Sequence, residues 1–95
     1  MNRVVHCKRN KYDIYIGRPS KWGNPFLLGV HGNRDKVIDL YEKWLLGIIK
    51  SPNNKPPPSL DDAKKELSGK VLGCYCAPKK CHGDILVKFT GGDNE

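Results

Sequence analysis

No stretch of this 95-residue chain is apolar for long enough to cross a bilayer, which excludes a membrane-spanning helix. The opening residues, MNRVVHCKRNK, lack the apolar core of a secretory signal. The expected location is therefore cytoplasmic, where structural disulfides are uncommon. The four cysteines then read as thiols, metal ligands or catalytic groups. Apolar residues are scarce, at 38%, but they recur in periodic runs, which argues for a folded domain over a disordered chain. No internal repeat is present. The glycines match neither a Walker phosphate loop nor the GxGxxG fingerprint.

Acidic residues are also few: ten Asp and Glu stand against 17 Lys and Arg, a formal net charge of +7. The excess is uneven. Residues 1–36 carry eight cations and two acids, residues 37–50 two of each, and residues 51–95 seven and six. A basic N-terminal third favours a phosphate-bearing partner, a nucleotide or a nucleic acid; plain solubility is the bland reading of the same charge.

What is present is organised around residues 70–86, KVLGCYCAPKKCHGDIL. The pattern is a buried strand, a loop and the first turn of a helix. Ahead of it, residues 3–8 (RVVHCK) and 12–16 (YDIYI) read as strands, the second with Tyr12, Ile14 and Ile16 on one face. Asn33 is placed to cap a helix that runs to about Lys50, with Val37, Leu40, Tyr41, Trp44, Leu45 and Ile48 on its inner face. Residues 51–58 (SPNNKPPP) form a stiff connector. Ser59 caps a second helix that buries Leu60, Ala63 and Leu67 and ends at Gly69. The last helix buries Ile85, Leu86 and Phe89. The order β-β-α-α-β-α predicts a small α/β sheet with the last strand central and helices packed on it. One domain over residues 1–95 is expected, ordered from about 3 to 89, with a flexible tail at 90–95.

Two stretches carry chemistry. The loop GRPSKWGNPF (residues 17–26) is too rich in Gly and Pro for a regular element. Arg18 suits an anion, Gly23 a close backbone approach, Ser20 and Asn24 hydrogen bonding, and Trp22 stacking; a structural loop pinned by Trp22 and Phe26 is the alternative. At the Cys/His corner three readings stand side by side. Cys74, Cys76, Cys81 and His82 are ligand types for zinc, although the C-x-C-x4-C-H spacing is not that of a standard finger. Alternatively Cys81 or Cys76 is a nucleophile with His82 as acid or base and Asp84 in support, since a helix N-terminus favours thiolate. Asp84 alone also suits glycosyl-transfer chemistry, by stabilising positive charge on a sugar. The third reading is packing: small cysteines fill a tight strand and His82 caps a helix.

Together, YIGRPSKWGNPF (residues 15–26), LGCYCAPKKCHGDIL (residues 72–86) and the intervening helix NRDKVIDLYEKWL resemble the family known as domain of unknown function 4326. The resemblance covers about residues 4–88 and implies a small protein of bacterial or phage type. It carries no activity. It marks positions: Gly17 to Ser20 and Trp22 to Phe26 in one motif, and Cys74, Cys76, Pro78, Cys81, His82, Gly83 and Asp84 in the other. His6 and Cys7 belong to neither, which weakens a metal site that needs them. The C…CH ending is loosely similar to a second uncharacterised α/β family that continues with arginine, where this chain has Gly83.

The reading that follows is a pocket between the 17–26 loop and the Cys/His corner. It would take a nucleotide-like or nucleic-acid phosphate ligand through Arg18, Ser20, Trp22, Gly23, Asn24 and Cys76. Cys81, His82 and Asp84 would do any glycosyl-bond or nucleotide-processing chemistry. The alternative is a non-catalytic basic module, zinc-stabilised or metal-free, that binds nucleic acid or a host protein.

Overall fold

The computed structural model describes residues 3–18, 20–75, 79 and 81–90. Six elements follow in the order β1 (Arg3–His6), β2 (Ile14–Tyr15), α1 (Arg34–Leu45), α2 (Leu60–Leu67), β3 (Val71–Cys74) and α3 (His82–Phe89). The strands form one parallel sheet in the order β1-β3-β2. The α/β class, the element order and the central place of β3 agree with the sequence pattern. β3 takes the middle because Leu72, Gly73 and Cys74 are all buried, so the strand is fit to be covered on both sides. No helix among the described residues is long and apolar enough to cross a membrane.

The register sorts the sheet into two faces. Val4, Leu72 and Ile14 stand abreast, as do Val5, Gly73 and Tyr15. Strand alternation places these rows on opposite sides. The Val4 row meets the helices: a Cβ on Gly83 of α3 would lie 2.8 Å from Val4 and 2.7 Å from Ile16. Helices α1 and α2 both pack on α3. One cluster joins Ile16 and Leu72 of the sheet to Trp22, Phe26, Tyr41, Trp44, Leu67 and Leu86, whereas Val5 is buried outside it. The layer of helices therefore lies on one face alone.

The other face is crossed by the chain itself. β1 and β2 do not pair with each other; both run parallel to β3, and only residues 7–13 carry the chain from the end of one to the start of the other. That is too short for the usual helical crossover. The segment is tied down at both ends, with Cys7 N–H donating to the Cys74 carbonyl (2.9 Å) and Asp13 N–H to that of Val71 (2.7 Å). The Asp13 carboxylate accepts the Val71 N–H in return at 2.8 Å. Between these anchors the Tyr12 ring lies on Gly73, where any Cβ would come within 2.6 Å of it. Tyr12 thus leaves the Ile14 and Ile16 side, where alternation through residues 12–16 had set it, and the strand shortens to two residues.

α1 begins at Asn33, whose side chain accepts the Lys36 N–H at 2.9 Å, and it buries Val37, Tyr41, Trp44 and Leu45. It ends at Leu45, not near Lys50. Gly47 adopts φ +77°, its N–H bonds the Trp44 carbonyl, and the Ile48 N–H bonds that of Lys43. This is the Schellman closure, which favours glycine. Beyond it Ile48 is 66% exposed, outside the core where helical periodicity alone would put it. The proline-rich connector is stitched back onto α1 by the Trp44 indole N–H, which donates to the Lys55 carbonyl at 3.0 Å. Ser59 caps α2 through the Asp62 N–H.

The crossover yields a direct test. Gly73→Ala should cost about 1–3 kcal/mol in urea unfolding, because the added methyl displaces the Tyr12 ring. Tyr12→Ala made in the Gly73→Ala background should cost less than it does alone. Strict additivity of the two would show that the ring does not lie on Gly73.

Candidate functional site

Parallel strands bring their carboxyl ends to one side of the sheet, next to helix N-termini, and crevices form there. A pocket of about 300 Å³ opens at that place. Tyr15, Gly17 and Arg18 line it from the end of β2, and Cys74 and Tyr75 from the end of β3. Asn24, Phe26 and Leu28 come from the long loop, Arg34, Val37 and Ile38 from the start of α1, and Cys81 and His82 from the start of α3. Among the described residues, no Asp or Glu is on this wall, and two arginines are.

The loop holds its shape through its own polar groups. Ser20 N–H and Oγ–H both donate to the Gly17 carbonyl, at 2.9 and 2.6 Å, and the Gly23 N–H donates to Ser20 at 3.0 Å. Gly23 gives way to the Arg18 stem; a Cβ there would lie 2.8 Å from Arg18 Cγ. Asn24 clips the loop to α1 by donating to the Val37 carbonyl (3.1 Å) and accepting the Phe26 N–H (2.9 Å). The Tyr41 hydroxyl donates to the Trp22 carbonyl at 2.6 Å, and burial pushes that phenol up, so it stays a donor.

At the other wall, Cys81 is the N-cap of α3. Its sulfur accepts the Gly83 N–H at 3.2 Å, and Asp84 Oδ2 accepts the Cys81 N–H at 3.2 Å, a capping box with cysteine in the usual serine place. The Cys74 and Cys81 sulfurs are 3.1 Å apart, both buried. His82 is buried as well. Its Nε2 lies 2.7 Å from the Ile16 carbonyl, and its ring meets Tyr41 edge-to-face at 5.0 Å. Burial first, and the Arg18 charge in addition, hold the imidazole below the ordinary histidine value, against the opposing pulls of the Ile16 bond and Asp84. A carbonyl only accepts, so the neutral ring carries its proton on Nε2 and keeps a lone pair on Nδ1.

The expected residues are thus partly brought together. Arg18, Asn24, Cys74, Cys81 and His82 share the pocket. Ser20 and Gly23 shape the loop behind it. Trp22 is 3% exposed within the core and is not on the pocket wall, so the indole offers no stacking face there. The Asp84 carboxylate caps α3 and is likewise off the wall. Cys81 and His82 bond different partners, so the described contacts do not pair a thiol with a base. Cys76 and Pro78 lie outside the described residues. Among the described residues, no three His, Cys, Asp or Glu side chains gather in a way that would hold a metal ion. Sequence reasoning missed Arg34, Tyr15 and Tyr75. Arg34 had a signal, since it directly follows the capping Asn33 and so belongs to a helix start.

The His82 bond gives a pH dependence with a definite sign. The unfolded chain takes up a proton on His82 as pH falls through about 6.5, whereas the folded protein resists it. Over the range from about pH 6.5 downward the unfolded state therefore binds more protons than the folded one, and stability should fall as pH falls. Urea unfolding across this range should show the decline, and His82→Gln should flatten it. An unchanged slope in the variant would mean another group is responsible.

No solved structure matches the chain. It is similar to an uncharacterised 12.4 kDa protein encoded in the nrdA-td intergenic region of Enterobacteria phage T4, 38% identical over 89 residues, covering 93% of this chain and 76% of the relative. It is also similar to an uncharacterised protein of Acanthamoeba polyphaga mimivirus, 29% identical over 110 aligned positions, covering 90% of this chain and 77% of the relative. A family model, domain of unknown function (DUF4326), matches residues 3–92, and the chain belongs to that family.

Proposed function

We propose that the pocket binds a small phosphate-bearing ligand of the nucleotide type. The observation that carries this reading is the charge of the wall. Arg18 and Arg34 and the N-terminal turns of α1 and α3 converge on a cavity whose lining, among the described residues, holds no carboxylate. Helix N-termini and arginine forks are complementary to phosphate. The rings of Tyr15, Tyr75 and Phe26 border the same cavity and suit a base. Its volume, about 300 Å³, is at the small end of ligand pockets and fits a mononucleotide better than a dinucleotide.

In this reading Arg18 and Arg34 hold the phosphate. Asn24, with both amide ends committed to the protein, sets the distance between loop and α1. The His82 Nδ1 lone pair accepts from a ligand amine or hydroxyl, and is the group best placed to move a proton should the ligand be processed. Cys81 and Asp84 act through the helix cap.

Calorimetric titration with the nucleoside monophosphates and the matching nucleosides tests this. The phosphate form should bind at least about tenfold more tightly, as a charge-assisted contact predicts. Arg18→Ala and Arg34→Ala should each weaken it by about 10- to 100-fold, with Asp84→Asn close to wild type. Equal binding of nucleoside and nucleotide, or unaltered affinity in both arginine variants, would remove the phosphate pocket.

A further inference from the structure

The helix-free face of the sheet carries the rings of Tyr75, Tyr15 and Tyr12, and His6, at the carboxyl end of β1, meets this row edge-on at Tyr75. Neighbouring centroids are 5.9, 6.2 and 6.3 Å apart. The contacts are edge-to-face or tilted, which fixes the rings against one another and leaves Tyr12 41% and Tyr75 56% exposed. Parallel sheets are ordinarily covered on both faces, and an exposed aromatic surface on one of them marks a contact site.

The charge around this row has one sign. Residues 3–18 hold Arg3, Lys8, Arg9, Lys11 and Arg18 against a single acid, Asp13, whose carboxylate is taken by the Val71 N–H. None of these five cations makes an ion pair among the described residues. The three helices, by contrast, carry six cations against seven acids, and Lys21, Lys43 and Lys88 are paired with Glu66, Asp39 and Glu42. Rings that offer π-faces, set among unpaired cations, are the recognition chemistry of unpaired bases on a phosphate backbone. A duplex hides its base faces and cannot use such rings.

We infer that this face is a track for single-stranded nucleic acid. Bases stack on Tyr12 and Tyr75 while Lys8, Arg9 and Lys11 follow the phosphates. Tyr15 and Tyr75 belong to both the ring row and the pocket wall, so the track leads into the pocket and the end nucleotide of the strand occupies it. Only this last step rests on the pocket reading above.

The test is fluorescence anisotropy with fluorescein-labelled (dT)8 and (U)8, beside titration with the mononucleotides. The strand should bind more tightly than the mononucleotide and than a duplex of equal length, and its affinity should fall as salt rises. Lys8→Ala with Arg9→Ala, both at exposed positions of the crossover, should lower the log–log salt slope by about 1.4 for two lost phosphate contacts. The same pair should leave mononucleotide binding unchanged. Tyr12→Ala should weaken the strand about 5- to 100-fold. Should Tyr12→Ala unfold the protein, the lysine–arginine pair decides alone. Absence of strand binding, preference for duplex, or wild-type strand affinity in the Lys8/Arg9 variant overturns the track. Displacement of the strand by polyglutamate at equal charge also overturns it, as that marks a general polyanion surface. Strand binding that depends on Lys8 and Arg9 while mononucleotides fail to bind keeps the track and removes the pocket.

Discussion

Seven residues link the end of β1 to the start of β2, and both strands run parallel to β3. Most of the architecture follows from this constraint. A link so short has no room for a helix, so it lies flat on the sheet, and the strand beneath it must present a residue without a side chain. Gly73 meets that need and Tyr12 occupies the space. Since the crossover holds one face, the three helices share the other. Since the strands are parallel, their carboxyl ends, the 17–26 loop and the α3 N-terminus all come to one side, where the pocket forms. A conventional hairpin between the first two strands would have reversed β2 and carried Tyr15, Gly17 and Arg18 to the opposite end.

The pocket is then closed by contacts between segments that are far apart in sequence. His82 at the start of α3 reaches the Ile16 carbonyl at the end of β2, and Asn24 reaches the Val37 carbonyl in α1. Each bond uses a side chain to satisfy a backbone group near the cavity, which keeps the site polar in places without leaving buried groups unpaired. Among the described residues, no buried side-chain nitrogen or oxygen lacks a partner. Burial of His82 and the positive charge of Arg18 act in the same direction on the imidazole. The electrostatics that would draw a phosphate toward Arg18 thus also keep the ring neutral and its Nδ1 lone pair free of a proton.

The fold class and the central strand were legible in the sequence because they depend on local signals: apolar β3, capping Asn33 and Ser59, helical spacing in α1. Faces and boundaries were less so. Periodicity carried α1 through Gly47 to Ile48, although Gly47 was itself the stop signal. Alternation set Tyr12 beside Ile14, because no local pattern shows that residues 7–13 fold back over the sheet. At the pocket, Arg18, Asn24, Cys81 and His82 of the two motifs share one lining, but the contact each side chain makes was not legible. Trp22 and Arg18 are four residues apart in one loop, yet one is core and the other lines the pocket. Asp84 and His82 share a helical turn, yet one caps the backbone and the other faces the cavity. Residue type states what a side chain is able to do; which partner it meets is set by long-range packing that composition does not encode.

Charge distribution connects the sequence to the surface more directly than any single residue does. The basic excess sits in the N-terminal third, and four of its eight cations, Arg3, Lys8, Arg9 and Lys11, lie in β1 and the crossover on the helix-free side of the sheet. From residue 37 onward the charges nearly balance, and there the lysines of α1 and α3 find carboxylates. Exposed pairs of this kind contribute little to stability. Their consequence is electrostatic: they cancel the field over the helical layer and leave the open face positive. Salt would screen such a field at about 8–10 Å, so it acts on a partner already close to the surface, where the exposed rings of Tyr12 and Tyr75 are available for contact. Attraction without rings would suit any polyanion, and rings without charge would suit any apolar surface. In the proposed track, it is their coincidence on one face that would select a chain carrying both phosphates and unpaired bases.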